Sequence, residues 1–167
     1  RTVDRPLPSG RLSSREVLVF GLLVALLGVL YLAVLVHWQT ALFGLLTWLI
    51  YVWLYTPIKS RTTLNTVVGA VAGAMPVCIG WSAVGDVDMA CLSLFLLVYL
   101  WQFPHFMAIA WLYRRQYQAA GLLMLPVVDP DGRRTASQAL SSAMALLPVS
   151  LMPVVLLPVT FGYQVGV

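Results

Sequence analysis

Between positions 89 and 113 a glutamine, a histidine and a proline interrupt an otherwise apolar run, in the order Trp101-Gln102-Phe103-Pro104-His105-Phe106. At ~1.5 Å rise per residue, about 25 residues are enough to cross a hydrocarbon layer of ~30 Å. Polar side chains at that depth are costly, so they face a protein interior or a wet cavity. In a helix, residues three and four apart are neighbours, which predicts that Trp101, Gln102 and His105 share one face. Pro104 removes a backbone donor and favours a kink. The cluster can bind a partner by hydrogen bonding and stacking, or its imidazole can move a proton. It can equally tie two helices together.

A second group with chemical potential is cationic. Arg1, Arg5 and Arg11 lie in a Pro/Gly-containing lead-in, and Lys59 and Arg61 lie in a loop with Tyr55 before them and Asn65 after. Cations with hydroxyl and amide partners suit a phosphate. If the two loops meet at the mouth of a bundle, they form an anion site above the greasy shaft that carries Gln102 and His105. An anionic head with a long apolar tail fits that description, whether the protein transforms the lipid or transports it.

The elements that position these residues are membrane spans. Of the 167 residues 60% are hydrophobic and 10% charged, and the mean hydropathy is +0.89. Too few charges exist to cover a soluble surface, so the chain is read as all-α, a polytopic transmembrane helix bundle forming one domain over 1–167. Five spans are expected at about 17–36, 41–55, 67–84, 89–113 and 136–162. Ser13 or Ser14 ahead of Glu16 marks the first helix start, and Tyr55-Thr56-Pro57 is expected to break the second span. His37–Thr40 and Gly85–Asp88 are expected as short turns, and Arg114–Thr135 as the longest loop. Gly69/Gly73 and Ala70/Ala74 predict close helix packing. Cys78 and Cys91 read as small buried hydrophobes. The start at Arg1 and the end after an apolar run read as cuts through a longer protein.

Every basic residue falls in the lead-in, the loop at 59–61 or the loop at 114–134, which five spans place on one side. The opposite turns carry His37, Asp86 and Asp88. The positive-inside rule makes the basic side cytoplasmic, in the inner membrane if the source is bacterial. Arg15, Arg114, Arg115, Arg133 and Arg134 are read as topology determinants touching anionic lipid, and no nucleic-acid partner is implied.

Five stretches together resemble a known family: Arg1-Thr-x-x-Arg5-Pro-Leu-Pro-Ser-Gly-Arg11, Tyr55-Thr-Pro-x-Lys59-x-Arg61-Thr-Thr-Leu-Asn65, Gly73-Ala-x-Pro76-x-x-x-Gly80-Trp81, Trp101-Gln-x-Pro104-His105-Phe106 and Tyr117-x-x-Ala-Gly121-x-x-Met124-Leu-Pro. They are similar to the protohaem IX farnesyltransferases (haem O synthases), a branch of the intramembrane aromatic prenyltransferases. The resemblance implies a nine-helix bundle of which this chain supplies five spans. It also implies farnesyl transfer from farnesyl diphosphate to a vinyl group of haem b, with Mg²⁺ as cofactor. Arg1, Arg5, Arg11, Lys59 and Arg61 would hold the diphosphate with Tyr55, Asn65 and Tyr117 as partners. Trp101 and Gln102 would contact substrate, and His105 would touch haem or manage a proton. Trp53, Trp101 and Phe106 would shelter an allylic cation. The product would pass to a haem A synthase or a terminal oxidase.

Two departures accompany the likeness. The family's aspartate-rich motif is expected upstream of Arg1, and the acidic position before Tyr117 is Gln116 here. No metal site can be assembled from the acids present, so Mg²⁺ ligands are expected mainly upstream, and the chain by itself is expected to be inactive. A related enzyme acting on an aromatic quinone precursor and a piece of a lipid-phosphate transporter are the alternatives. The topology has a direct check. With Cys78 and Cys91 replaced, a cysteine at Lys59 or Arg133 should be shielded from an impermeant thiol reagent outside intact cells, and one at Asp88 should react. The reverse pattern overturns the orientation.

Overall fold

The computed structural model describes residues 6–156, so Arg1 and Arg5 of the expected anion site and positions 157–162 of the fifth expected span lie outside it. Five helices are long and apolar enough to span a membrane: α1 (Ser14–Leu35), α2 (Trp38–Ile58), α3 (Asn65–Ser82), α4 (Met89–Leu112) and α7 (Arg133–Leu156). Two short helices, α5 (Arg114–Ala119) and α6 (Leu125–Val128), interrupt the expected long loop. No strand occurs among the described residues. The chain is an integral, multi-pass, all-α membrane protein.

Packing runs from α1 onto α2, from α2 onto α3, from α3 onto α4 and from α4 onto α7. The spans differ sharply in what they bury. No residue of α1 is buried, and its large apolar side chains face outward. Helix α3 is rich in Gly and Ala; Ala70 and Ala74 are fully buried, and α4 presses against that small-residue face. Association inside a bilayer depends on close contact rather than on escape from water, so small side chains and buried polar pairs do the joining. Thr40 and Ser82 make one such pair at 3.1 Å between α2 and α3. Cys78 and Cys91 are buried free thiols on α3 and α4, their sulfurs 3.9 Å apart.

Helix starts follow local chemistry. Ser13 and Glu16 form a reciprocal capping box at α1, as the sequence predicts. Asp88 caps α4 through the Cys91 N–H at 2.9 Å. The turn expected at 37–40 is shorter, because the His37 imidazole accepts the Gln39 N–H and α2 begins at Trp38. Helix α3 starts at Asn65 and α7 at Arg133, two and three residues ahead of expectation.

The expected break at Tyr55-Thr56-Pro57 does not occur. From Ile50 to Tyr55 the helix widens to π geometry, and Thr56 bonds back to the Tyr51 carbonyl through both its N–H and, at 2.8 Å, its hydroxyl. Proline normally clashes with the carbonyl four residues earlier, and a widened turn relieves that clash. The helix therefore carries through Pro57 to Ile58.

Asp129 organises the entry to α7. Its carboxylate accepts the Thr135 N–H and hydroxyl, both at 2.8 Å, supplying a partner for a helix N-terminus that otherwise leaves its N–H groups unpaired. The Thr135 N–H, with the Thr135 hydroxyl and Arg134 behind it, holds the Asp129 carboxyl below its ordinary range. Because the folded value is depressed, the stability it confers is complete above the ordinary carboxyl pKa of about 3.9 and is lost as pH falls through the folded value. Thermal unfolding in detergent should therefore gain an acid-sensitive limb only below about pH 4. Asp129→Asn should flatten that limb, and an unchanged acid limb in the variant would show that another group sets it.

Candidate functional site

The site lies between α2, α3 and α4, at the end of the bundle where the basic loops meet. Asn65 builds this end. It is fully buried, and its side-chain amide donates to the Thr62 carbonyl at 2.7 Å and the Leu123 carbonyl at 2.8 Å. Its amide oxygen accepts from Thr66. The Leu123 N–H in turn donates to the Lys59 carbonyl at 2.9 Å. Two loops some sixty positions apart in sequence are thereby clasped, and Tyr117 and Met124 are brought beside Lys59 at the mouth of one cavity.

That cavity encloses ≈ 440 Å³. Its mouth is formed by Lys59, Asn65, Tyr117, Leu122 and Met124, and its shaft by side chains of α2, α3 and α4. From Asn65 to Gly73 along α3 the shaft descends about 12 Å, at ~1.5 Å per residue. Tyr51, Tyr55 and Phe106 give it aromatic walls. Gly69 and Gly73 give it room: a Cβ at Gly69 would stand 2.9 Å from the Tyr55 ring, and one at Gly73 would collide with Gln102 Oε1. The small-residue pair that reads as a packing motif also makes space for two polar side chains. Gln102 is buried and joins α4 to α3 by donating from Nε2 to the Ala70 carbonyl at 3.0 Å, with a second bond to the Val98 carbonyl at 3.2 Å.

Of the residues singled out in the sequence, Tyr55, Lys59, Asn65, Gln102 and Tyr117 meet around this cavity. Asn65 does so as a clasp, since both its amide hydrogens are spent on backbone carbonyls, and it offers no donor to a ligand. Arg61 is exposed and does not line the cavity; neither does Arg11, whose guanidinium donates to Ser9. Trp101 and His105 do not share the Gln102 face. They stack on each other, 4.8 Å apart and 15° from parallel, on the exposed side of α4. At about 100° per residue the two lie ~40° apart, whereas Gln102 stands ~100° from Trp101, far enough to enter the protein while they stay outside. His105 still touches the site indirectly, through Phe106 at 5.7 Å between ring centroids. Of the three aromatics expected to shelter an allylic cation, Phe106 lines the shaft while Trp53 and Trp101 face outward. Tyr51, Thr66 and the two glycines were not foreseen as site residues; the spacing Tyr51–Tyr55–Lys59, four and four, is the signal that marks the first.

Carboxylates are missing from this cavity wall. No group of three or more His, Cys, Asp or Glu side chains gathers anywhere among the described residues. Glu16 and Asp129 are engaged at helix starts, and Asp86 and Asp88 belong to the turn at the other end. The described residues therefore do not fit an Mg²⁺ ion, which takes oxygen ligands including one or two carboxylates.

Lys59 and the Tyr117 phenol thus stand at the mouth of an aromatic-walled cavity set among membrane-spanning helices. Comparison with known proteins gives the chain a family. The UbiA prenyltransferase family model matches residues 1–167, and the chain belongs to that family. It is 48% identical over 153 residues to the protoheme IX farnesyltransferase of Solibacter usitatus, covering 91% of this chain and 52% of that protein. With the enzymes of the same name from Koribacter versatilis and Opitutus terrae it shares 43% over 152 residues and 44% over 167, covering 90% and 99% of this chain and 49% and 56% of theirs. The chain spans about half the length of the curated relatives it matches. No solved structure matches.

The clasp carries its own test. Asn65→Ala strips the side-chain donor from two part-buried carbonyls, leaving that of Leu123 without it and that of Thr62 with only the Asn65 N–H at 3.4 Å, a loss of about 1–3 kcal/mol. The substitution should lower the thermal midpoint in detergent and expose the 120–125 segment to proteolysis. Retention of wild-type protection would show that the two loops are held by other contacts.

Proposed function

We propose that the protein acts in farnesyl transfer from farnesyl diphosphate to a vinyl group of haem b, giving haem O. The observation that carries this reading is the cavity itself: Lys59 and the Tyr117 phenol at the mouth, and an apolar aromatic shaft about 12 Å deep beneath them. Its family supplies the prenyl chemistry, and its relatives at 41–48% identity carry the name of that enzyme. The diphosphate binds at the mouth, where the Lys59 ammonium offsets the charge that grows on the leaving group. The farnesyl tail descends the shaft between Tyr51, Tyr55 and Phe106, whose ring faces favour a developing allylic cation. Arg11 and Arg61 strengthen the positive potential at the same end, and Arg1 and Arg5, outside the described residues, carry the same charge in the sequence. Haem approaches from the outer side of α4, where the His105–Trp101 stack presents a planar surface. Mg²⁺ is implied by the resemblance, but the described residues hold no ligand set for it.

The basic end faces the cytoplasm, and a bacterial source would place the protein in the inner membrane. Haem O, too apolar to travel freely, is handed to a haem A synthase or terminal oxidase in the same bilayer.

In membranes containing the full-length protein, Lys59→Ala should cost ~2–5 kcal/mol of transition-state stabilisation, as for a charge contact in a dry site. Arg134→Ala, on the first turn of α7 and remote from the cavity, should cost little. The assay is farnesylated haem detected by mass spectrometry after addition of haem b and farnesyl diphosphate. Equal losses at the two positions would remove Lys59 from the site, and prenylation of a quinone precursor but not of haem would reassign the acceptor.

A further inference from the structure

Two further cavities lie on the basic side of the bundle, and they adjoin. Neither shares a lining residue with the cavity of Lys59 and Tyr117. The first, ≈ 290 Å³, lies between α5 and α6 and is lined by Arg114, Arg115 and Gln118 together with the buried Pro126. Gln118 stands one helical turn on from both arginines. No carboxylate lines this cavity, and among the described residues neither arginine is bonded to one. The second, ≈ 390 Å³, is an open groove along the seam of α4 and α7, with Pro104, Met107, Ala108 and Trp111 on one side and Ala136 and Ala139 on the other. Trp111 joins the two. Its ring lines the groove, and the Arg114 guanidinium rests over that ring, 4.6 Å from the centroid. A Cβ at Gly132 would stand 2.7 Å from the same indole, so a glycine just ahead of α7 is what lets the ring lie across the seam.

We propose that the two cavities form one site for an anionic phospholipid of the basic-side leaflet. Its phosphodiester sits in the cavity of Arg114, Arg115 and Gln118, and one acyl chain runs down the α4–α7 groove. The order of the two along the membrane normal is that of a lipid. Arg114 and Arg115 follow directly on the end of α4, at the level of the headgroups. From Trp111 back to Pro104 the groove descends about 10 Å into the hydrocarbon. A guanidinium presents a planar fork of donors that matches phosphate oxygens, and stacking on an indole leaves those N–H edges free. Indole itself favours the boundary between headgroup and chain, where Trp111 stands. Asp131 is the one carboxylate lining the groove, and it repels an anionic head there, which directs the head to the arginines. A zwitterionic head brings an ammonium group that two unneutralised arginines disfavour. The site thus differs from the diffuse attraction of all the basic loops to an anionic leaflet, which would treat every arginine alike.

The test counts bound lipids and needs no assay of activity. The full-length protein, purified in detergent, is given equal amounts of phosphatidylglycerol and phosphatidylcholine with identical chains, and the lipids it retains are identified by native mass spectrometry. Wild type should hold phosphatidylglycerol about tenfold better. Arg114→Gln with Arg115→Gln should bring that preference to about twofold or less. Arg115→Gln alone, at an exposed position bonded to no described residue, should lower it about threefold and guards against misfolding of the double variant. Arg133→Gln is the control: it is exposed on the first turn of α7 and lines neither cavity, so the preference should stay within about twofold of wild type. Equal losses at 133 and at 114–115 would reduce the effect to the general field and overturn the site. Ala136→Phe, which fills the groove from its exposed edge, should lower phosphatidylglycerol retention severalfold; unchanged retention would overturn the union of the two cavities. Displacement of the lipid by inorganic phosphate would make this a free-phosphate site and overturn the lipid assignment. A wild-type protein without preference overturns the proposal outright, as it must if another segment of the longer protein fills the groove.

Discussion

The site depends on one buried amide. Asn65 sits where a loop turns into α3, and among the described residues its two amide hydrogens are the only side-chain donors that reach the Thr62 and Leu123 carbonyls. Loops entering a membrane carry backbone groups that lipid cannot satisfy, so a clasp of this kind stabilises both loops at once. The mutual dependence explains why the mouth has a defined shape although its residues come from separate segments. Lys59 and Tyr117 belong to separate segments, and what holds them around one cavity is the bonding between 59, 62, 65 and 123 rather than any contact of their own.

The spans divide the remaining work. Helix α1 is apolar on all sides and buries nothing, so its composition reports only the solvent around it. Helix α3 carries small residues and is the surface on which α2 and α4 are registered. Close approach of α4 to α3 lets Gln102 reach a backbone carbonyl, and the same approach leaves the shaft narrow. Packing and site formation here are one event, because a glycine that admits a neighbouring helix also admits that neighbour's polar side chain.

Much of this was legible in the chain. Hydropathy and the confinement of Lys and Arg to three segments suffice for five spans and for which ends lie together, since a bilayer leaves few alternatives. The Ser13/Glu16 box is read directly, because its chemistry is local. Tyr55, Lys59 and Gln102 stand out by their types and neighbours and Tyr117 by the family resemblance, and all four line the cavity. What the sequence conceals is angular. Trp101, Gln102 and His105 fall within one helical turn, and spacing alone does not say which side of a hundred-degree arc meets the protein. Asn65 is conspicuous as a polar residue at a span boundary, but whether it serves a ligand or the backbone depends on a loop fifty-eight positions away. The passage of α2 through Pro57 escapes for a related reason, since a widened turn leaves no compositional mark.

That widened turn bears on how this chain tolerates change in length. A π turn holds one residue more than the α-helix it replaces, so everything after Tyr55 is rotated by about 100° relative to a regular continuation. Removing a single residue between 50 and 55 would give a more regular helix and leave composition and hydropathy almost untouched. It would also swing Lys59 off the cavity mouth and carry its backbone carbonyl away from Leu123. The count of residues in this stretch therefore matters to the site as much as their identity, and a deletion there would undo the site even where every named side chain survived.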